Sequence, residues 1–200
     1  MDAMNSRPLV ILYEPRVLLR NGLCAQLQEQ GQHVISCRAF EQITEEICIQ
    51  TNSPKVLVVG AGGLGDSVSK MLRIFHYTKA MALKTLVYLP YQDELLTRLF
   101  MASGASGCLA EDELEEKLLP AINDSRIKRH RGQHFSFSEM NVLLDYASGM
   151  QTQEIAVRRN CSYKTVFTFK RNARMRLDIE TKAGWMDLLT AINQLSSCNK

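Results

Sequence analysis

Two stretches of this 200-residue chain hold side chains at spacings that can do chemistry. The first is basic. Lys164, Phe167, Thr168, Lys170, Arg171 and Arg174 follow one another within a short run. At about 100° per residue, Lys164, Phe167, Thr168, Arg171 and Met175 share one side of a helix. Val166, Ala173 and Leu177 share the other, with Phe169 at its margin. A helix with a narrow apolar stripe and a basic outer face suits the major groove of double-stranded DNA. There arginine and lysine meet phosphates and guanine edges. Thr168 and Arg171 stand three residues apart and reach the same stretch of groove. Lys164, Lys170 and Arg174 lie nearer the phosphates.

The second stretch is Gly60-Ala61-Gly62-Gly63-Leu64-Gly65, which satisfies G-x-G-x-x-G directly after an apolar run at 56–59. In a dinucleotide-binding fold such glycines bring backbone N–H groups to a pyrophosphate. A nucleotide-binding enzyme using this loop is the alternative reading. The motif follows the third apolar run rather than the first, and no acidic residue ends the next run, 85–89, to hold a ribose. Other catalytic patterns are absent. His33, His76, His130 and His134 show no mutual ligand spacing, and neither G-x-S-x-G nor H-E-x-x-H occurs. The six cysteines, Cys24, Cys37, Cys48, Cys108, Cys161 and Cys198, form no C-x-x-C pair. They read as buried, reduced thiols of a cytosolic protein. The expectation is a chain that is not an enzyme, with no catalytic residue, metal or cofactor.

The basic helix needs neighbours to position it, and residues 135–179 supply them. Ser136 with Glu139 forms an S-x-x-E capping box, flanked by Phe135 and Met140 as a hydrophobic staple. Val142, Leu143, Tyr146 and Ala147 give the first helix its apolar stripe. Gly149 stops it. A second helix over 152–159 carries Ile155 and Ala156 inward. Asn160 and Cys161 make the next break, and Ser162 caps the basic helix. Helix, short turn, basic helix is the helix-turn-helix pattern.

This stretch resembles the LuxR-type DNA-binding domain that ends many bacterial response regulators. Glu139, Val142, Leu143, Ala147, Gly149, Glu154, Ile155, Ala156, Ser162, Lys164, Thr165, Val166, Thr168 and Leu177 stand where that family has them. The chain departs at Phe167, where the family often has lysine, at Phe169, where it has histidine, and at Asp178, where it has glycine. The resemblance implies that residues 167, 168 and 171 face bases and adds Thr165 to the DNA-binding set. Residues 160–177, NCSYKTVFTFKRNARMRL, are similar to regulators of fimbrial and capsule genes.

The charge pattern agrees with two modules. Residues 1–125 hold 11 Lys/Arg against 15 Asp/Glu, while residues 126–177 hold 11 against 3. An acidic module joined to a nucleic-acid-binding one is the simplest account. A hydrophobic content of 46% suffices for a real core. No apolar run approaches the ~18 residues a membrane helix needs. The opening MDAMNSRPLVILYEPR lacks a basic n-region and a long apolar h-region. A cytoplasmic chain without a membrane partner is expected.

Before the basic module, apolar runs at 9–13, 33–37, 56–59, 85–89 and 108–110 alternate with helical periods at 17–30, 40–50, 68–77, 93–102 and 113–122. Strictly alternating strands and helices imply a parallel sheet with helices on both faces. The expected fold is a five-stranded flavodoxin-like α/β domain over residues 1–124, a polar linker at 125–134 and an all-α, four-helix domain over 135–200. An α/β domain of this kind before a LuxR-type domain resembles a response-regulator receiver. A receiver needs an acidic pair, an aspartate that accepts phosphate, a hydroxyl and a lysine. The resemblance lays these on Glu14 with Pro15, Gly60, Leu89 and Glu111. Glu14 alone keeps the type, and one carboxylate is a poor magnesium site. The expectation is a degenerate receiver that has lost phosphotransfer.

Trp185, Leu188, Leu189 and Ile192 recur at helical spacing near the end of the chain. In LuxR-type domains the fourth helix pairs across a two-fold axis. A homodimer follows from that resemblance, and a degenerate receiver leaves room for a heterodimer with a related regulator, or for an adaptor acting mainly through it.

Overall fold

The computed structural model describes residues 7–51, 53–64, 67–124 and 134–197. The linker expected at 125–134 therefore lies outside the described residues except for His134, as do Gly65 of the glycine run and Cys198. The first part of the chain alternates as its periodicity predicts: β1 (Leu9–Tyr13), α1 (Val17–Glu29), β2 (His33–Cys37), α2 (Phe40–Cys48), β3 (Lys55–Gly60), α3 (Val68–Ala80), β4 (Lys84–Leu89), α4 (Glu94–Ser103), β5 (Gly107–Ala110) and α5 (Leu114–Asn123). The strands form one parallel sheet in the order β2-β1-β3-β4-β5.

Alternation along each strand decides which face each residue joins. Val10, Leu12, Val56, Val58, Leu86 and Tyr88 meet Leu23 and Leu27 of α1 and Leu114, Leu118 and Ile122 of α5. Ile11, Leu57, Val59, Val87 and Leu89 point the other way, onto Ile43 of α2, Met71, Leu72 and Phe75 of α3 and Leu99 and Phe100 of α4. Sheets buried on both faces need such near-continuous apolar strands. Each fully buried Leu, Ile or Phe contributes roughly 1.5–3 kcal/mol.

Three cations close the far ends of these helices. Arg7 donates to the carbonyls of Gln30 and Gly31 at 3.1 and 2.9 Å, beyond the end of α1. Lys55 reaches the carbonyls of Glu46 and Ile49 at the end of α2, and Lys84 that of Asp124 after α5. Positive charge at a helix C-terminus meets the negative end of its dipole.

The cysteines depart from expectation. Among those described, Cys37 alone is fully buried, Cys24, Cys108 and Cys161 are partly so, and Cys48 is exposed. Cys48 follows Ile47 by one position on α2, which turns it about 100° from the buried stripe of Ile43 and Ile47. All five described cysteines are free thiols.

The second part is helical: α6 (Phe137–Ala147), α7 (Thr152–Arg158), α8 (Tyr163–Arg176) and α9 (Lys182–Ser197). Met140, Leu143, Ala173, Leu177, Trp185, Leu188 and Ile192 make its core, continuous with the α3 and α4 side of the sheet domain. No helix among the described residues is long and apolar enough to cross a membrane.

Candidate nucleic-acid interface

The cap of α6 forms as its sequence dictates. Ser136 Oγ accepts from Glu139 N–H at 3.2 Å, and Glu139 Oε2 accepts from Ser136 N–H at 2.8 Å. Glu139 has a second task, since Arg176 Nε of α8 donates to the same Oε2 at 2.7 Å. This ties the start of α6 to the end of α8. Burial pushes the Glu139 carboxyl up, but Arg176 and the Ser136 N–H outweigh it and hold the carboxyl below its ordinary value.

The breaks also use the residues the sequence offers. Gly149 takes φ +87° after α6 and Asn160 φ +49° after α7. Asp178 takes φ +55° after α8, at the position where the resembled family has glycine. That left-handed turn is the backbone reason glycine suits the place. Ser162 Oγ accepts from Thr165 N–H at 3.1 Å and caps α8. Asp145 of α6 receives Arg159 at 2.7 and 2.9 Å, which fixes the end of α7 onto α6. Sequence reasoning missed this pair. Its one signal was a carboxylate inside an apolar stripe.

On α8, Val166, Ala173 and Leu177 are fully buried. Lys164, Phe167, Thr168, Arg171 and Met175 face solvent, so the basic face predicted from spacing exists as one exposed surface. Thr168 Oγ1 donates to the Lys164 carbonyl at 3.0 Å, and Thr165 is half-buried beside the cap. Two cations of the set expected to bind DNA behave differently. Lys170 Nζ lies 4.5 Å from the Tyr146 ring centroid and 5.4 Å from that of Trp185. Burial, Arg174 and Lys182 push its pKa down. Arg174 donates to the Ile179 carbonyl at 3.2 Å and to that of Glu180. Both are engaged in holding α8 to its own domain, which leaves Lys164 and Arg171 as the cations of the open face.

Of the residues expected to pair two copies, Trp185, Leu188 and Ile192 are buried within the chain. Trp185 stands edge-on to Tyr146, centroids 5.8 Å apart. Leu189 is partly covered, and Met186 beside it is exposed.

The sheet domain brings Glu14, Gly60, Leu89 and Glu111 to the C-terminal ends of its strands. What fills the space between them was not visible in the sequence. Glu14 is wholly buried and accepts from Arg16 N–H at 2.8 Å, Arg16 Nε at 2.9 Å, Arg16 Nη2 at 2.9 Å and Tyr88 Oη at 2.6 Å. Arg16 Nη1 lies 2.8 Å from Glu111 Oε2, an ion pair. A Cβ added to Gly60 would meet Glu14 Oε2 at 2.1 Å and Tyr88 Oη at 2.8 Å. A Cβ on Gly62 would meet Arg16 Cζ at 2.9 Å. The glycine run is therefore closed by a carboxylate and its guanidinium rather than presented as an open cradle. Leu89 is buried at the end of β4. Among the described residues no group of His, Cys, Asp and Glu is arranged to hold a metal.

The two domains touch where α3 and α4 pack against α6 and α9, beside the C-terminal end of α8. Arg98 of α4 donates to the Leu177 carbonyl at 3.0 Å, Arg73 of α3 to Asn141 Oδ1 at 3.3 Å, and Phe135 N–H to the Ala102 carbonyl at 2.8 Å. A cleft between Thr97, Arg98, Met175 and Asp178 marks where α4 approaches α8. The N-terminal half of α8 stays clear of the sheet domain.

Comparison with known proteins agrees with this arrangement. Residues 133–188 match the family model described as bacterial regulatory proteins, luxR family. No curated protein matches the chain. Solved structures do. RcsB from Salmonella enterica serovar Typhimurium, bound to promoter rprA in the presence of phosphomimetic BeF3−, is 19% identical with TM-score 0.56, over 93% of this chain and 99% of that one. A structure of two RcsB dimers bound to two parallel DNAs is 18% identical with TM-score 0.52, over 93% and 99%. Full-length FixJ from B. japonicum is 14% identical with TM-score 0.50, over 94% and 98%. The chain thus has the fold of these solved structures, a receiver-like sheet domain followed by a helical domain that matches the luxR-family model.

Proposed function

We propose that this protein is a sequence-specific DNA-binding transcription regulator that acts without phosphorylation. The observation that carries the reading is the exposed face of α8, with Lys164, Thr168 and Arg171 outward and Val166, Ala173 and Leu177 inward. Arg171 and Thr168 contact base edges and Lys164 a phosphate. Thr165 and Phe167 complete the face, and Lys170 and Arg174 add positive potential from its flank.

Phosphorylation independence is supported by the strand ends. Gly60 has no side chain to accept a phosphoryl group, and the space beside it holds the Glu14 carboxylate. A second anion there would meet that buried carboxylate. Genes for fimbriae or other surface structures are the proposed targets, on the likeness of residues 160–177 to fimbrial regulators. The working state is a cytoplasmic dimer paired through the outer side of α9 at Leu189 and Met186. Trp185, Leu188 and Ile192 support that helix from beneath. A related regulator that can be phosphorylated is an alternative partner for the same surface.

The test is DNA binding by the full chain, to a duplex selected from a random library and to its scrambled form. Each is measured with and without a small phosphodonor and magnesium. The reading expects preference for the selected duplex, no phosphoryl adduct in the protein mass and an unchanged affinity. A stoichiometric adduct on the sheet domain contradicts phosphorylation independence, and equal binding to both duplexes contradicts the DNA-reading function.

A further inference from the structure

The open face of α8 is not uniformly polar. Tyr163 and Phe167 are 53% and 57% exposed. Standing four residues apart, they are neighbours on one ridge of the helix, and Arg171 continues the same ridge. Lys164 and Thr168 lie alongside, both exposed. Two aromatic rings left in water among cations mark a surface that something else covers. Nothing among the described residues covers them, because α4 approaches the opposite end of the helix at Met175.

The charge around the rings selects the cover. Lys164 and Arg171 suit a polyanion with base edges, and the reading of this face as DNA-binding, on which the present step rests, places the ridge in the major groove. The base edges there present donors and acceptors with one apolar group among them, the C5-methyl of thymine. We infer that Phe167, flanked by Tyr163, reads thymine methyl groups and makes thymine a determinant of the binding site. Phe167 and Arg171 are four residues apart, about 6 Å along the helix, or roughly two base-pair steps of ~3.4 Å. The thymine read by Phe167 therefore lies within about two steps of the guanine read by Arg171.

Removing only the methyl tests this. The tightest duplex from a random library, selected with the full-length protein, is resynthesised with each thymine in turn replaced by deoxyuridine. Loss of one buried methyl is worth about a fourfold loss of affinity. Wild type should show that loss at one or two positions near the essential guanine. Phe167→Ala should bind thymine and uracil forms equally while still preferring the selected duplex to a scrambled one. Circular dichroism confirms that the exposed substitution leaves the fold intact. Equal binding of wild type to every uracil form, with sequence preference retained, overturns the inference and leaves the DNA-reading function standing. Discrimination that survives in Phe167→Ala overturns it as well. Absence of any sequence preference in wild type defeats the proposed function, and this inference with it.

Discussion

The carboxylate of Glu14 stands where a side chain on Gly60 would have to go, with Glu14 Oε2 2.1 Å from a Cβ built on that glycine. The two residues sit at the ends of neighbouring parallel strands, β1 and β3. In this pocket the buried carboxylate comes from the residue directly after β1, and its charge is already met by Arg16 and Tyr88.

Gly60→Ala should therefore be destabilising although alanine is small. The displaced atom is a wholly buried carboxylate held by four donors, so relief means breaking hydrogen bonds, and overpacking of this kind costs about 1–3 kcal/mol. Chemical denaturation of Gly60→Ala, of Glu14→Ala and of the double variant measures it. The account expects non-additivity, with the second substitution relieving the clash of the first. Strictly additive losses would show that the two residues do not contend for one space.

Much of the fold was legible in the residues. Five apolar runs separated by helical periods can build little else than a parallel sheet between two helical layers. The caps at Ser136 and Ser162 and the left-handed breaks at Gly149 and Asn160 are local, set by neighbours a few residues away. The outward set on α8 followed from periodicity alone. What stayed hidden depends on residues far apart in sequence. Tyr88 reaches Glu14 across 74 positions and Arg98 reaches the Leu177 carbonyl across 79. No local spacing encodes either. Lys170 illustrates the same limit within one domain, because spacing places it at the edge of the basic face without saying that Tyr146 and Trp185 lie beside it.

That position of Lys170 makes a prediction. A cation over an aromatic face contributes about 0.5–2 kcal/mol, whereas Lys164 stands exposed on the open face of α8. Thermal melting should find Lys170→Ala less stable than wild type by about 1 kcal/mol and Lys164→Ala unchanged. Equal melting temperatures for all three proteins would return Lys170 to the solvent.

Acid should loosen the helical domain through Glu139. Its folded pKa lies below the ordinary value of 4.5. The stability it contributes is present above the unfolded pKa and is lost as pH falls through the folded one. Glu139→Gln should lower the melting temperature near neutral pH, and the gap to wild type should close as pH falls below about 4. A gap independent of pH would mean that the ion pair with Arg176 contributes nothing.

Pairing through α9 should be sensitive to its outer side. Leu189→Asp and Met186→Asp place a carboxylate on the proposed two-fold surface, and each should weaken cooperative binding to a duplex with two half-sites about one helical turn apart. Binding to a single half-site should change little. Folded variants that bind the double site as cooperatively as wild type would place the pairing surface elsewhere.

The account stands or falls on α8 as the reading element, and Arg171 tests it most directly. Salt titrations of wild type, Arg171→Ala and Lys164→Ala on the selected duplex and its scrambled form separate base from phosphate contacts. Arg171→Ala should lose about 1–3 kcal/mol on the selected duplex and little on the scrambled one. Lys164→Ala should weaken both alike and lower the salt slope by roughly one. If Arg171→Ala keeps the full preference for the selected duplex, α8 does not read the sequence and the proposed function is wrong.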